Sequence, residues 1–366
     1  MITNTHEKQL KTRQICLFFL AFTITNKLFT LPSTIASVCS SDAWLSSLFS
    51  VIIDTLSIVI MLVVSKNTDK DFFELLTTAF SRVGAIIVCA IYFIYFFLKS
   101  IIPIMEQREY IDLTLYIPNP SFLYFLPFFI TCIYICSKKL RLLGRLSDIL
   151  FTTTLLGFIT LMALSVSHAD FSNLLPVGIN GAKKIFSGTF LSLNWFGDCV
   201  YFLFFIGNFK RSKKDGVKIT LSYLFSGLLI VLFSMVFYGI FTSIAYRQKF
   251  SLTEISKYTT IINSTGRFDY LAIMLLLVSN VITISLPLFF CCKILERIFT
   301  VKNRFIMPVT ISALSLLVNV LISEHVYSTQ KTLITFFGVF YFLLANVFPI
   351  IIILLGKRRK NENAKV

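Results

Sequence analysis

Two short stretches place polar and ionisable groups inside otherwise apolar runs. The first is Thr23-Ile24-Thr25-Asn26-Lys27, with Leu31-Pro32 following, and the second is Ser192-Leu193-Asn194-Trp195-Phe196-Gly197-Asp198. In a bilayer, polar groups and helix breakers survive at depth only where protein or a wet cavity receives them. Thr25, Asn26, Lys27, Asn194, Trp195, Gly197 and Asp198 are therefore the candidate ligand-binding residues. Interrupted helices bare N–H and C=O groups, which are ready partners for a carboxylate and an ammonium. Lys27, Asp54 and Asp198 are the candidates for ion or proton coupling. Two readings stay open for each of them. Lys27 lies too deep in its run to snorkel easily, so it meets either a ligand or a structural counter-ion, with Asp198 and Asp54 as the partners within reach. Asp198 reads as part of the site and Asp54 as structure. Lys99, near the outer end of its run, is expected to snorkel. Ser279, Asn280, Thr283 and Ser285, before Pro287, suit interhelical hydrogen bonding first and cavity lining second.

The elements that position these residues follow from composition. The chain has 366 residues, 56% of them hydrophobic, with 40 Phe and only 18 acidic residues. Its mean hydropathy of +0.81 excludes a soluble globule and makes the bilayer its solvent. Apolar runs fall at 15–38, 43–64, 84–104, 122–137, 149–166, 188–208, 219–243, 269–291, 305–323 and 333–355. An all-α integral membrane protein of about ten transmembrane helices is expected, as a single transmembrane domain over 1–366. Lys and Arg gather in alternate connections, in the clusters Lys138-Lys139-Leu140-Arg141, Lys210-Arg211-Ser212-Lys213-Lys214 and Lys357-Arg358-Arg359-Lys360. That pattern predicts both termini in the cytoplasm, with a basic tail over 356–366. It also assigns the net charge of +16 to topology and headgroup contact, not to nucleic acid. A basic stretch before the first run resembles a signal peptide, but no A-x-A-like site follows. Ala36-Ser37-Val38-Cys39 sets a bulky Val where a lipoprotein site wants a small residue, so the first span is expected to be retained.

The two interrupted runs are the first and the sixth. Five spans per half put the breaks at corresponding positions of two oppositely oriented halves, 15–166 and 188–355, so a five-plus-five inverted repeat is expected. Met105 to Ser121, ending in Pro118-Asn119-Pro120, reads as a short external interfacial helix and a turn. His168 to Ser187 reads as a re-entrant or capping loop. Ala245 to Arg267 says little. The eight Cys lie in or beside apolar runs and suit packing; neither a zinc-like set nor any cofactor is expected. His6, His168 and His325 are scattered, and neither a Gly-rich phosphate loop nor a Ser, His and Asp set can be assembled, so an enzyme is not expected.

The order and spacing of several pieces carry a resemblance. These are Leu28-Phe29-Thr30-Leu31-Pro32, Asp42-Ala43-Trp44-Leu45, Arg108-Glu109 before Pro118-Asn119-Pro120, Gly144-Arg145, Asn173-Leu174-Leu175-Pro176-Val177 and Gly197-Asp198. Over nearly its whole length the chain resembles the B subunits of spore germinant receptors, the endospore germination permeases of the amino acid, polyamine and organocation transporter superfamily. The resemblance implies a leucine-transporter-type fold with a site between broken helices 1 and 6. It implies a nutrient, an amino acid for example, that is sensed, a place in the spore inner membrane, and a complex with a receptor A subunit and a lipoprotein C subunit. A proton- or cation-coupled amino acid permease is the alternative. One departure matters: relatives often carry a Gly-x-Gly break in span 1, where this chain has Thr25-Asn26-Lys27, whose backbone opens less freely. The Lys27 ammonium then either binds a ligand anion directly or takes the place of a coupling cation.

Overall fold

A computed structural model describes residues 10–66, 70–115, 122–209, 212, 214–257, 269–299, 303–322 and 326–363. Span 1 is α1 (Thr12–Lys27) followed by α2 (Leu31–Cys39), and span 2 is α3 (Ala43–Val64). A short helix, α4 (Phe72–Ala79), leads into span 3, α5 (Arg82–Leu115). Spans 4 and 5 are α6 (Phe122–Cys136) and α7 (Leu140–Ser165). Span 6 is split into α8 (Gly181–Ser192) and α9 (Val200–Phe205), and span 7 is α10 (Asp215–Phe241). After α11 (Ser251–Lys257) come span 8, α12 (Asp269–Phe299), and span 9, α13 (Ile306–Leu321). Span 10 is α14 (Val326–Phe342), a π-helical turn Leu343–Val347 and α15 (Phe348–Asn363). Helices thus stand at all ten expected positions, with the first and sixth broken, in the five-plus-five arrangement of leucine-transporter-type folds. Five of the described helical stretches are long and apolar enough by themselves to cross a bilayer.

Burial sorts the residues as a membrane protein requires. Phe336 and Leu321 are 77% and 71% exposed on the lipid side, while Lys27, Asp54 and Asp198 are fully enclosed. The broken spans are held inside a scaffold in which α10 packs on α1 and α3, and α12 packs on α5, α7, α6 and α1. Close approach requires small residues at the contacts. A Cβ on Gly188 of α8 would lie 2.2 Å from Cys39 Sγ, and one on Gly227 of α10 would lie 2.4 Å from Val51 Cγ1. The ends of α1, α7 and α10 away from the α2 side are tied by polar contacts: Thr12 donates to Asp215 at 2.9 Å, and Arg13 pairs with Asp148 at 3.0 Å.

Of the connections, one departs from expectation, one takes the capping form of its two readings, and one gains structure where the sequence said little. Met105 onward is no separate interfacial helix, because α5 runs unbroken to Leu115 and Glu106, Gln107, Arg108 and Glu109 find partners inside the protein; Pro118-Asn119-Pro120 lies outside the described residues. The segment after α7 is a capping loop. Asp42 accepts from the backbone N–H of Gly178 (2.7 Å) and of Asn180 (3.1 Å) and from the Asn180 amide, pinning it over the start of α3. The stretch from Ala245 is organised as far as Lys257, and there Ser251 N–H donates to the Phe29 carbonyl at 2.8 Å.

The α3–α10 contact yields a prediction. Gly227→Leu should overpack it at a cost of about 1–3 kcal/mol and lower the unfolding midpoint of the detergent-solubilised protein. Leu221→Ala, on the lipid-facing side of the same helix, should leave the midpoint nearly unchanged. Equal effects from the two would contradict this packing.

Candidate functional site

Helix α1 ends at Lys27, and the chain is non-helical over 28–30 before α2 begins with Pro32 in its first turn. The interruption therefore falls just after the polar run Thr23 to Lys27, and not within it. Proline suits this place because its missing N–H belongs to a turn whose donors have no intrahelical partner. The second interruption spans 193–199. Gly197 sits there at φ +87°, and an added Cβ would come within 2.8 Å of the Ala345 Cβ, so both the torsion and the space demand glycine.

Four backbone groups of the second break have charged partners. Asp54 of α3 accepts from Gly197 N–H (2.7 Å) and Asp198 N–H (3.3 Å), just before α9, and from the Tyr223 hydroxyl at 2.6 Å. Lys99 of α5 donates to the carbonyls of Asn194 (3.3 Å) and Phe196, just after α8. An anion thus meets the N–H groups leading into one half-helix and a cation meets the carbonyls left by the other, as the helix dipoles favour. Lys99 does not snorkel; it is buried, because these carbonyls need a donor and no water reaches them.

A direct ion pair joins the two breaks. Lys27 of α1 binds Asp198, both side chains wholly buried, with Thr23 also donating to Asp198 Oδ2 at 3.3 Å. The Lys27 Nζ lies 4.7 Å from the centroid of the Phe196 ring, within cation–π range. Asn26 donates to the Trp195 carbonyl at 3.3 Å, a second link between the breaks. Asp198 Oδ1 accepts no hydrogen bond among the described residues. Of the other candidates, Thr25 turns back to the Ala21 carbonyl of its own helix (2.8 Å), and the Asn194 amide donates to Leu191 O at 3.2 Å. Six of the seven candidates therefore gather around the junction of spans 1 and 6, and Thr25 backs it from within α1. In span 8, Asn280 donates to Gln107 at 2.6 Å and Ser285 contacts Cys132 at 3.1 Å, the expected interhelical bonds, whereas the buried Thr283 hydroxyl makes none among the described residues; the Ser279 side chain lies outside the described residues.

Several neighbours of the site escaped the sequence reading. Glu106 of α5 accepts from the Thr30 hydroxyl in the first break and from the Trp195 indole in the second at 3.0 Å. Lys99 and Glu106 are seven residues apart, hence on one helix face, and that spacing was the available signal. The π-helical turn in span 10 frees carbonyls: Cys199 Sγ lies 3.2 Å from Ala345 O, and Tyr92 donates to Leu344 O at 3.2 Å. Toward the α4 side the junction is closed by packed rings, with Phe22–Tyr201 centroids 4.8 Å apart and Phe204–Phe290 4.2 Å apart. Beyond that layer opens a cavity of about 250 Å³ lined by Phe72, Phe204, Phe290 and charged Asp71, Lys139 and Lys293.

Known proteins agree with this architecture. Residues 9–327 match the family of spore permeases described as spore germination protein. Spore germination protein YndE of Bacillus subtilis (strain 168) is 21% identical over 212 residues, which cover 57% of this chain and 58% of that protein. The alignment thus spans less than two thirds of that relative. Among solved structures, Mhp1, a nucleobase-cation-symport-1 family transporter in a closed conformation, superposes with a TM-score of 0.58 at 13% identity, over 97% of this chain and 93% of its own. A manganese transporter of Eremococcus coleocola gives 0.58 at 12% identity, over 96% and 80%. At such identities the likeness establishes the fold.

The second break yields a prediction. Lys99→Met keeps the bulk but leaves two buried carbonyls without their donor, at a cost on the order of 1–3 kcal/mol. The unfolding midpoint should fall. A Lys99→Met protein as stable as wild type would show that the break does not need the ammonium.

Proposed function

We propose, for a chain that belongs to the spore germination protein family, that it is the nutrient-sensing membrane subunit of a germinant receptor, binding a small polar solute between helices 1 and 6. The solute is an amino acid. Its carboxylate goes to Lys27 and its ammonium toward the buried carboxylates, with Asn26, Asn194, Trp195, Gly197 and Asp198 around it and Thr25 behind. The observation that carries this reading is the Lys27–Asp198 pair, which spans both breaks and is wholly enclosed. A zwitterion can replace such a pair charge for charge, so the site need never leave a charge bare. Binding then shifts a conformational equilibrium to the extent that the two states differ in affinity. Partner subunits read that shift: a receptor A subunit and a lipoprotein C subunit, in the spore inner membrane, with both termini and the basic tail over 356–366 on the cytoplasmic side.

The transporter folds of the solved neighbours favour a second reading, a proton- or cation-coupled amino acid permease. There the same site alternates its access, and Lys27, Asp54 or Asp198 exchanges a proton or stands in for a cation.

Spores lacking this chain, complemented with wild type or with Lys27→Ala, separate the two. The receptor reading expects a nutrient-specific germination defect that wild type rescues and Lys27→Ala does not, although the variant protein remains in the membrane. Normal germination of the deletion spores would favour the permease, and solute uptake into proteoliposomes would then be the readout.

A further inference from the structure

Two features coincide at the end of α2 that lies away from the first break. Among the described residues, two that are not glycine have positive φ: Ser40 (φ +50°, ψ −122°) directly after α2, and Thr242 (φ +47°, ψ −124°) directly after α10. Each turns an α-helix sharply into a 3₁₀ turn, Ser40–Asp42 in one case and Thr242–Arg247 in the other. Glycine adopts such torsions without steric cost, whereas a residue with a Cβ is strained there. Strain of this kind persists only where the surroundings hold it, and it clusters at ligand sites. Both residues line one cavity of about 260 Å³ between α2 and the end of α10. Its wall has a single chemistry. Six lining residues carry hydroxyls, namely Ser37, Ser40, Tyr238, Thr242, Ser243 and Tyr246, and none of the lining residues is charged. The charged side chains of the two 3₁₀ turns are engaged: Asp42 holds the capping loop, and Arg247 lies over the Tyr246 ring and donates to its hydroxyl at 2.8 Å.

We propose that this cavity binds a neutral polyhydroxylated ring, a saccharide unit of monosaccharide size, at a place separate from the junction of spans 1 and 6. A hydroxyl both donates and accepts, so a wall of hydroxyls matches a ligand that presents several of them in either sense. Ser37 already donates to the Thr34 carbonyl at 2.7 Å, which leaves its oxygen to accept. An ionic ligand would give up hydration with no opposite charge in the wall to replace it. The rings of Tyr238 and Tyr246 offer apolar surface for the C–H face of a sugar, while their phenol tips hydrogen-bond. The volume lies at the small end of ligand pockets, which hold roughly 300–1,000 Å³, and so suits one ring better than a chain of them. One side of the cavity is α2 and the other is α10 with its 3₁₀ turn, so an occupant joins the half-helix that follows the first break to the scaffold. A free saccharide and the headgroup of a glycolipid share this chemistry.

The test uses the full-length protein in nanodiscs of zwitterionic phospholipid, prepared without sugar-based detergents. Saturation-transfer NMR titrations take glucose, galactose, N-acetylglucosamine, inositol and glucuronate as free probes. The unfolding midpoint is read with and without a monoglucosyl diacylglycerol in the disc. Binding of a neutral sugar assigns the site to a free saccharide, and a midpoint raised by the glycolipid alone assigns it to a headgroup. Tyr246 is half-exposed, so Tyr246→Ala spares the fold, and it should weaken the interaction about tenfold. Thr242→Gly should weaken it by a similar factor and yet leave the midpoint at or above that of the wild type, because glycine relieves the torsion while the hydroxyl is lost. A purely structural role for Thr242 would not separate the two readouts. The proposal is overturned if neither source of the ring binds, if both variants bind as the wild type does, or if glucuronate binds more tightly than glucose.

Discussion

A helix can stop at bilayer depth only if something other than water takes its unpaired N–H and C=O groups. In this protein that partner is charge borrowed from neighbouring spans. Asp54 of span 2 takes the N–H groups that lead into α9, and Lys99 of span 3 takes the carbonyls that follow α8. Gly197 makes the turn between them. Span 1 needs less help, since Pro32 removes one donor, Ser251 donates to the Phe29 carbonyl and Thr34 N–H to that of Thr30. Once both breaks are stabilised, Lys27 and Asp198 meet across them, and the rest of the bundle can be understood as the frame that keeps this meeting dry.

The same constraint shapes what the site can do. Removing one member of a buried pair costs about 3–5 kcal/mol, whereas exchanging partners leaves no charge bare. On the proposed reading of the site, a ligand with both charges is admitted more cheaply than one with a single charge. Closure on the two sides is built differently. Toward the α4 side the barrier is packed aromatic rings, among them Phe22, Tyr201, Phe204 and Phe290. Toward the α2 side it is polar, with Glu106 drawn to both breaks and Lys249 paired with Glu109. A polar closure can be undone by competing hydrogen-bonding groups, and an aromatic one only by moving helices.

The ten spans, and which two of them are broken, were legible because apolar length and its interruption are one-dimensional signals. Lys27 and Asp198 stood out for the same reason, as charges far from any run's end. Lys99 was misjudged because its distance from the run's end suggested access to headgroups, while the carbonyls it serves belong to a segment about a hundred residues away in the chain. Glu106 was hidden in a stretch with Gln107, Arg108 and Glu109 that looked interfacial, although α5 continues through it. The polar run in span 1 marked its break but not the break's position: Thr25 satisfies itself on the preceding turn and Asn26 reaches across to Trp195, so the helix persists to Lys27. The π-helical turn of span 10 has no signature of its own in an apolar run. Its reason for being lies in Gly197 and Cys199, which pack against it.

Lys27 and Asp198, wholly buried against each other, should behave energetically as one unit spanning the two breaks. A double-mutant cycle on the unfolding of the purified protein tests it directly, with Lys27→Met, Asp198→Asn and the pair of substitutions together. Each single change should destabilise by about 3–5 kcal/mol, because it strands a buried charge, and the double variant should recover much of that loss. Additive effects of the two substitutions would contradict it and would return Lys27 and Asp198 to separate roles.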